Sequence, residues 1–229
     1  MWSENLALLI RAARALGDLR QNLVFVGGCT TGLLITDIAS ADVRPTRDVD
    51  VITEIASQAE YYALAKRLRS HGFQEDLEII CRWQHENEIT LDVMPTDPRI
   101  LGFSNPWYRE TIAHAVEHTL ETDLVIRVVT PPYFCATKIV AFHGRGKGDY
   151  AGSHDLEDFL TVVDGRSELA SEIRAAEDDL RRYLATEASQ LLTRREFTDV
   201  LPGFLMPDSA SQERVPLLLA RLREIASAG

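Results

Sequence analysis

The feature that most constrains the fold is the segment at residues 48–52, in which Asp48 and Asp50 alternate with Val49 and Val51. This period of two predicts a half-buried β-strand with both carboxylates on one side and both valines facing a core. Two carboxylates about 6–7 Å apart on a rigid strand suit Mg²⁺, which prefers oxygen ligands. The alternative interpretation is a solvated strand face or the start of a turn, because Asp-x-Asp patterns are common.

A double-glycine turn precedes that strand in the chain. Residues 23–34 are predicted to form a short buried strand, a turn at Gly27 and Gly28, and a helix that begins near Thr30. Glycines allow positive φ angles and a close approach of the backbone to a ligand, and a helix N-terminus offers N–H groups to an anion. The spacing matches neither the Gly-x-Gly-x-x-Gly dinucleotide motif nor the P-loop. The turn therefore predicts either a phosphate contact or only a tight strand-to-helix connection.

A third carboxylate lies on a later predicted strand. Its two sides carry different residues: Ile89, Leu91 and Val93 on one, and Thr90, Asp92 and Met94 on the other. Residues 82–88 before it have the pattern of a hairpin partner with a polar turn. An acid on a mostly apolar strand is costly to bury without an ionic or hydrogen-bonding partner. A metal ion shared with Asp48 and Asp50 would be such a partner; otherwise Asp92 lies at a solvent-facing end of the strand.

Together these segments resemble the DNA polymerase β-like nucleotidyltransferase superfamily, and within it the bacterial nucleotidyltransferases related to AbiEii toxins. The resemblance covers roughly residues 20–165. It implies bound Mg²⁺ or Mn²⁺, with catalytic and metal-ligand roles for Asp48, Asp50 and Asp92. It also implies an NTP substrate that contacts a second set of residues, Gly27, Gly28, Cys29, Thr30 and Arg47. Cys29 stands where many relatives carry Ser or Thr, so a hydroxyl contact to phosphate would have to come from Thr30 or Thr31.

A further segment carries the resemblance beyond the three acids. Thr130 can cap a helix whose first turn tolerates the two prolines that follow it. On this helix Lys138 lies among apolar neighbours, where an ammonium group needs an anionic partner. The next helix begins at Ser153 and places Asp155 and Asp158 three residues apart. The resemblance implies that Lys138 contacts the NTP phosphates while the two acids orient it or shape the pocket; alternatively, the acids only favour the helix N-terminus.

The activity implied by this resemblance is transfer of a nucleoside monophosphate from an NTP to an acceptor hydroxyl. It indicates a toxin-like enzyme that acts on RNA, such as a tRNA 3′ end, or on a protein, with a cognate antitoxin as a partner. Two alternatives stay open. One is a small-molecule nucleotidylyltransferase of the aminoglycoside type, and the other is a catalytically silent nucleotide-binding relative.

The charge of the chain bears on the acceptor. Its 229 residues carry a formal net charge of −11, and the pI is about 5.0. Broad nonspecific binding to a phosphate backbone depends on Lys and Arg, so an acidic chain disfavours it. A cationic small molecule is better matched to an acidic cleft. RNA is thereby disfavoured as a bulk ligand but stays open as a specific substrate.

Cysteine usage and hydropathy bear on the compartment. The three cysteines, Cys29, Cys81 and Cys135, lie in apolar runs, which predicts reduced core thiols. No signal peptide is recognisable, and no apolar run approaches the ~20 residues of a membrane span. We therefore expect a cytoplasmic protein with no membrane segment.

The order of predicted elements indicates the α+β class, with a small mixed sheet flanked by helices. We expect a core at residues 1–165 and a C-terminal helical region at residues 166–229 that packs on it. Helices are predicted at residues 5–16, 56–71, 105–118, 168–185, 187–201 and 212–228, and a strand at residues 124–129. Residues 114–118 also match the His-x-x-Glu-His zinc pattern, which needs both histidines on one helix face. An ordinary amphipathic helix is the preferred interpretation, because no distal glutamate segment is recognisable.

Overall fold

The structure, a computed structural model, describes residues 4–37, 39–40, 43–146 and 148–229. The described residues group into two compact units. The first is drawn from Met1–Gly32 and Pro45–Thr130, and the second from Leu33–Arg44 and Pro131–Gly229. The first unit contains the β-sheet, and the second is helical.

One mixed β-sheet forms the centre of the first unit. Among the described residues it has seven strands: β1 (Val24–Val26), β2 (Asp48–Thr53), β3 (Phe73–Glu75), β4 (Arg82–His85), β5 (Ile89–Pro95), β6 (Val116–Glu121) and β7 (Leu124–Val128). Their order across the sheet is β3-β4-β5-β2-β1-β7-β6. β2 runs parallel to β5, and β1 runs parallel to β7. The other neighbouring pairs are antiparallel.

The central strand β2 has the predicted alternation. Val49 and Val51 are fully buried, whereas Asp48 and Asp50 are half-buried on the opposite side. β-branched residues favour the extended conformation and pack well on a pleated surface. The strands predicted around Asp48 and Asp92 and at residues 124–129 are therefore confirmed.

In the described part of the chain, four helices pack on the sheet of the first unit: α1 (Glu4–Leu16), α3 (Gln58–Ser70), α4 (Pro98–Leu101) and α5 (Tyr108–Ala113). A further short helix, α2 (Thr31–Leu34), leads into the second unit. α1 packs on the sheet with Leu9, Ala13 and Leu16, which are buried and share one helix face. Ser57 caps α3 by accepting a hydrogen bond from the backbone N–H of Glu60.

The helix predicted at residues 105–118 is wrong beyond Ala113. α5 ends there, and Val116 begins β6, which pairs with β7 from Val116 opposite Val128. Strand pairing is a non-local contact, and here it outweighs the local helical pattern. The alternative zinc site is excluded as well, because it needs both histidines on one helix face, whereas His114 follows α5 and His118 lies on β6.

The second unit consists of helices. They are α6 (Pro131–Arg145), α7 (His154–Gly165), α8 (Leu169–Ala175), α9 (Asp178–Thr193), α10 (Arg195–Val200), α11 (Ser209–Gln212) and α12 (Val215–Ala226). α7 begins one residue after the predicted start at Ser153, which is its N-cap, because the Ser153 hydroxyl accepts from the N–H of Leu156 over 3.3 Å. α9 packs on α12, with Leu184 and Leu222 among the buried residues. The helical character after residue 166 is confirmed, although the helix bounds differ from those predicted.

A segment from early in the chain belongs to this helical unit. The backbone N–H groups of Thr36 and Asp37 both donate to the carbonyl oxygen of Gly165 over 2.9 Å. Arg214 then bridges two carboxylates, donating to Asp37 over 2.8 Å and to Asp164 over 3.0 Å. Backbone and ionic contacts thus attach residues 33–37 to the end of α7.

The α+β class with a mixed sheet flanked by helices is confirmed. Cys29, Cys81 and Cys135 are buried free thiols. Burial raises the pKa of Cys81 to about 11 and also raises that of Cys135. Within the part of the chain that the structure describes, no helix has both the length and the apolar character that a bilayer crossing requires.

Candidate active site

Sheet register brings the three predicted carboxylates together. β2 and β5 are parallel neighbours in which Asp50 lies beside Asp92 and Asp48 lies beside Thr90. Residues two apart on a strand share a face, and register partners on neighbouring strands point the same way. Asp48, Asp50 and Asp92 therefore form one carboxylate cluster on one side of the sheet.

An arginine that sequence reasoning had placed only in a hairpin strand links two members of this cluster. Arg82 lies on β4 opposite Asp92. Its Nε donates to Asp92 Oδ1 over 2.8 Å, and its Nη2 donates to Asp92 Oδ2 over 2.8 Å and to Asp48 Oδ2 over 3.1 Å. The hydrogen bonds to Asp92 raise the pKa of Arg82 further above its ordinary value. Arg82 is thus a permanent cation within the carboxylate cluster.

The double-glycine turn lies against the same cluster. Val26 at the end of β1 is the register partner of Asp50, and Gly27 follows with φ of +74°. A Cβ atom at position 27 would lie 1.8 Å from Asp50 Oδ2. Glycine is required here both for the left-handed backbone and for the space that the carboxylate occupies. The turn at Gly27 thus lies against Asp50, and its predicted contact with phosphate stays a prediction.

The side chains that follow the turn face the protein interior. Gly28–Thr30 form a 3₁₀ turn, and all three residues are buried. The thiol of Cys29 donates to the carbonyl oxygen of Val26 over 3.3 Å. The hydroxyl of Thr30 donates to the carbonyl oxygen of Gly27 over 2.9 Å. Both side chains thus stabilise the turn itself.

A divalent cation fits the donor chemistry of the carboxylate cluster, because Mg²⁺ and Mn²⁺ prefer carboxylate oxygens. Asp48 also accepts a hydrogen bond from the hydroxyl of Thr46 over 2.7 Å, which fixes its orientation. Among the described residues, however, no three His, Cys, Asp or Glu side chains are arranged to hold a metal ion in this conformation. The positive charge between Asp48 and Asp92 is that of Arg82. The predicted metal role of the three aspartates stays a prediction.

The predicted lysine lies in a second ionic cluster, within the helical unit. Lys138 on α6 is buried, and its Nζ donates to Asp158 Oδ2 over 2.6 Å and to Asp155 Oδ1 over 3.2 Å. Arg145 donates to both oxygens of Asp155, over 2.6 and 2.7 Å. Arg44 donates to Asp158 over 3.4 Å. We call these five residues the lysine cluster.

Electrostatics in the lysine cluster favour the ionised form of Asp155. Burial by itself would raise the pKa of Asp155, but the hydrogen bonds and charges of Arg145 and Lys138 outweigh it, so the pKa is lowered. The two acids on α7 thus both contact the lysine, and the role that the resemblance implies for them stays a prediction. Arg44 was not foreseen, because it lies far from α7 in the sequence.

The remaining predicted residue, Arg47, is exposed beside the carboxylate cluster. It lies one position before Asp48 and lines an open cavity of about 390 Å³. The other lining residues are Glu4, Ala7, Leu8, Arg11, Thr46 and Glu88. Arg47 is therefore accessible to a ligand in this cavity, whose lining does not include the three aspartates.

Comparisons with known proteins give one family and one fold. The family model described as "Nucleotidyl transferase AbiEii toxin, Type IV TA system" matches residues 9–222. The crystal structure of an antigenic nucleotidyltransferase-like protein from Paracoccidioides brasiliensis is similar, with a TM-score of 0.51 and 17% sequence identity. The match covers 96% of this chain and 92% of that one, and it shows the fold alone. No curated protein sequence gives a significant match.

Proposed function

This chain belongs to the AbiEii family of nucleotidyltransferase toxins, and from that premise we propose that it transfers a nucleoside monophosphate from an NTP to a hydroxyl of RNA, with the tRNA 3′ end as the first acceptor to test. The observation that supports this most is the register that places Asp92 beside Asp50, with Asp48 on the same strand face. Three carboxylates on one rigid sheet suit chemistry at a triphosphate, because a strand positions side chains more reliably than a loop does.

The carboxylate cluster performs the chemical step in this proposal. Asp48, Asp50 and Asp92 would hold the divalent ion through their carboxylate oxygens. Bound Mg²⁺ or Mn²⁺ supplies neutralisation of the triphosphate charge and lowers the pKa of the acceptor hydroxyl. The acceptor oxygen bonds to the α-phosphorus, the bond from that phosphorus to the bridging oxygen breaks, and pyrophosphate leaves. Asp92 accepts the proton of the hydroxyl.

Several other residues bind the nucleotide. The turn at Gly27 and Gly28 contacts phosphate through backbone atoms, because the side chains of Cys29 and Thr30 donate to backbone carbonyls within the turn. Arg47, which lies next to Asp48 in the chain and is exposed, contributes a further cation. In the helical unit Lys138 contacts phosphate, and its two acidic partners, Asp155 and Asp158, keep its Nζ in one position.

Asp50→Asn tests the chemical role directly. The substitution removes one charge from the carboxylate cluster and keeps the shape of the side chain. We expect NMP transfer to fall by at least ~10³-fold, because the ion it helps to hold stabilises several kcal/mol of developing charge. The measurement is incorporation of label from an α-labelled NTP. The matched control is Asp123→Asn, an exposed position in the first unit; near-wild-type transfer by Asp50→Asn would rule out this mechanism.

The acceptor is identified by labelling. The protein is incubated with each α-labelled NTP, Mg²⁺ or Mn²⁺, total RNA and cell lysate, and the labelled product is separated by class. Label at the 3′ end of tRNA supports the proposal. Label on a protein contradicts the RNA acceptor and retains the chemistry, whereas NTP binding with no pyrophosphate release indicates a catalytically silent relative.

A second candidate acceptor is a cationic small molecule of the aminoglycoside type. The net charge of −11 favours it, because an acidic protein attracts cations and repels polyanions. Mass spectrometry of an aminoglycoside after incubation with the protein, ATP and Mg²⁺ tests this candidate. A mass increase of one nucleoside monophosphate on the drug, with no label on RNA, would replace the RNA proposal.

The family also bears on partners. It is described as a type IV toxin–antitoxin family, and we therefore expect a cognate antitoxin. Expression of the chain should slow growth, and co-expression of its antitoxin should restore it. The Asp50→Asn variant should be harmless in the same assay, which links the growth effect to nucleotidyl transfer.

A further inference from the structure

The carboxylate cluster already carries hydrogen bonds at the oxygens that the reaction needs. Both oxygens of Asp92 accept from Arg82, over 2.8 Å each. Asp48 accepts from Thr46 at Oδ1 and from Arg82 at Oδ2. A carboxylate whose two oxygens face the guanidinium fork of an arginine presents few lone pairs to a metal ion or to a substrate proton.

Hydrogen bonds fix the backbone of Arg82, so only its side chain can move. Its backbone N–H donates to the carbonyl oxygen of Ile79, and its carbonyl oxygen accepts from the N–H of Asp76, both over 2.9 Å. Strand pairing with Asp92 fixes the same backbone from the other side. The side chain is 24% exposed, so the guanidinium can rotate toward solvent with no change in the strand. Release of Asp48 and Asp92 therefore requires a change of rotamer and the loss of three hydrogen bonds, without movement of the strand.

Charge makes Arg82 and a divalent ion competitors. Three carboxylates on one face of the sheet repel one another, and a cation close to them offsets that repulsion. Arg82 supplies one positive charge to Asp48 and Asp92, and a divalent ion supplies two to the same oxygens. A divalent ion held by Asp48 and Asp92 would have to displace the hydrogen bonds that the guanidinium of Arg82 makes with these two carboxylates.

We propose that the guanidinium of Arg82 competes with the divalent ion for Asp48 and Asp92. While Arg82 is bound to these two carboxylates, it prevents them from binding the ion. This inference rests on the proposed function, since it takes the three aspartates as the ion's ligands. Displacement frees both oxygens of Asp92 for the ion and for the acceptor proton, and it turns the guanidinium toward solvent. Arg82 is thus a positioning residue that acts through the two aspartates.

The test measures metal binding in the absence of nucleotide. Electron paramagnetic resonance of free Mn²⁺ gives the dissociation constant for wild type, Arg82→Gln and Arg82→Lys. We expect Arg82→Gln to bind Mn²⁺ at least ~10-fold more tightly than wild type, because the competing charge is removed. Arg82→Lys should lie between them, because it keeps the charge but loses the two-pronged contact. In the transfer assay, the Mg²⁺ concentration for half-maximal rate should fall in the same order.

The matched control is Arg99→Gln, because Arg99 makes a similar two-pronged contact with Asp97 on the surface of the same unit. Its Mn²⁺ affinity should equal that of wild type. If Arg82→Gln binds Mn²⁺ no more tightly than wild type, the inference is overturned. Should this variant not fold, Arg82→Lys decides the question, because Mn²⁺ affinity equal to that of wild type would also overturn it.

The failure of this inference is distinguishable from failure of the proposed function. If wild type transfers NMP, Asp50→Asn does not, and Arg82→Gln shows no gain in Mn²⁺ affinity, only the competition is wrong. If Asp50→Asn transfers NMP as wild type does, the three aspartates are not the reaction centre and both proposals fail. A gain in Mn²⁺ affinity that Asp50→Asn abolishes in the Arg82→Gln background supports both.

Discussion

Gly27 occupies a position where the backbone of the turn and the side chain of Asp50 lie in contact. Its φ of +74° is unfavourable for residues with a Cβ atom. The neighbouring carboxylate leaves no room for that atom either. The two constraints have different consequences. A side chain at positive φ lowers stability, whereas a Cβ atom against Asp50 would displace a residue of the proposed reaction centre.

Gly27→Ala should therefore reduce activity far more than an ordinary glycine substitution does. The new Cβ would lie 1.8 Å from Asp50 Oδ2, so the carboxylate must shift by more than about 1 Å. A misplacement of this size is expected to lower NMP transfer by about 10²-fold. The control is Gly102→Ala, because Gly102 has φ of +83° and nothing within 4 Å of the added Cβ. Gly102→Ala should lose about 1 kcal/mol of unfolding free energy from its left-handed backbone, and Gly27→Ala should lose more, because its ψ of −173° lies in a region that only glycine adopts readily. Gly102→Ala should keep its activity; equal activity of the two variants would contradict this account.

The contacts of Arg82 could be predicted only in part from the sequence. The alternation at residues 48–52 was sufficient to predict that Asp48 and Asp50 share a face. The hairpin register also contained a usable signal, because a three-residue turn between His85 and Ile89 pairs Arg82 with Asp92. The further contact of Arg82 with Asp48 depends on β5 lying beside β2, which no local pattern encodes.

At the scale of elements, the α6–α7 pair was predictable because its signals are local. Two prolines at the start of α6 and the Ser153 cap of α7 set the helix starts. The three-residue spacing of Asp155 and Asp158 places both on one helix face. In contrast, the helix predicted through His118 failed because β6 gains its stability from β7, a partner that periodicity within one segment does not identify.

The pairing of Asp155 with Lys138 and Arg145 predicts a pH-dependent contribution to stability. The lowered pKa of Asp155 means that its ionised form is favoured in the folded state. This contribution is present above the unfolded-state pKa of about 3.9 and is lost as the pH falls through the folded-state value. Asp155→Asn should lower the unfolding free energy at pH 7 by about 2–3 kcal/mol. The difference from wild type should narrow as the pH falls below about 4.

Urea denaturation of both proteins at pH 7 and at acid pH measures this difference. The control is Asp199→Asn, because Asp199 is 64% exposed and pairs with Arg195 over 3.4 Å. Its effect should be small at both pH values. A difference between Asp155→Asn and wild type that stays constant with pH would show that the carboxylate contributes nothing through its charge.

At the scale of the whole molecule, the chain does not complete one unit before it begins the next. Residues 33–44 group with the helical unit, although they lie between β1 and β2 of the sheet unit. The sequence contains no composition change that marks this excursion. Residues 33–44 group with the helical unit because they contact residues far along the chain. A division drawn from sequence order, such as residues 1–165 and 166–229, therefore stays a prediction. The carbonyl oxygen of Gly165 and the side chain of Arg214 provide these contacts.

Arg214→Met should weaken the helical unit where that excursion is attached. Arg214 donates to Asp37 and to Asp164, and Asp164 is 2% exposed. Removal of the guanidinium leaves a buried carboxylate without this partner, which is expected to cost about 3 kcal/mol of unfolding free energy. The control is Arg223→Met on the exposed face of α12, expected to change stability by no more than about 0.5 kcal/mol. Urea denaturation measures both.

The double variant Arg214→Met with Asp164→Asn should be more stable than Arg214→Met alone, because the second substitution removes the buried charge. A double variant less stable than Arg214→Met would show that Asp164 stabilises the unit independently of Arg214.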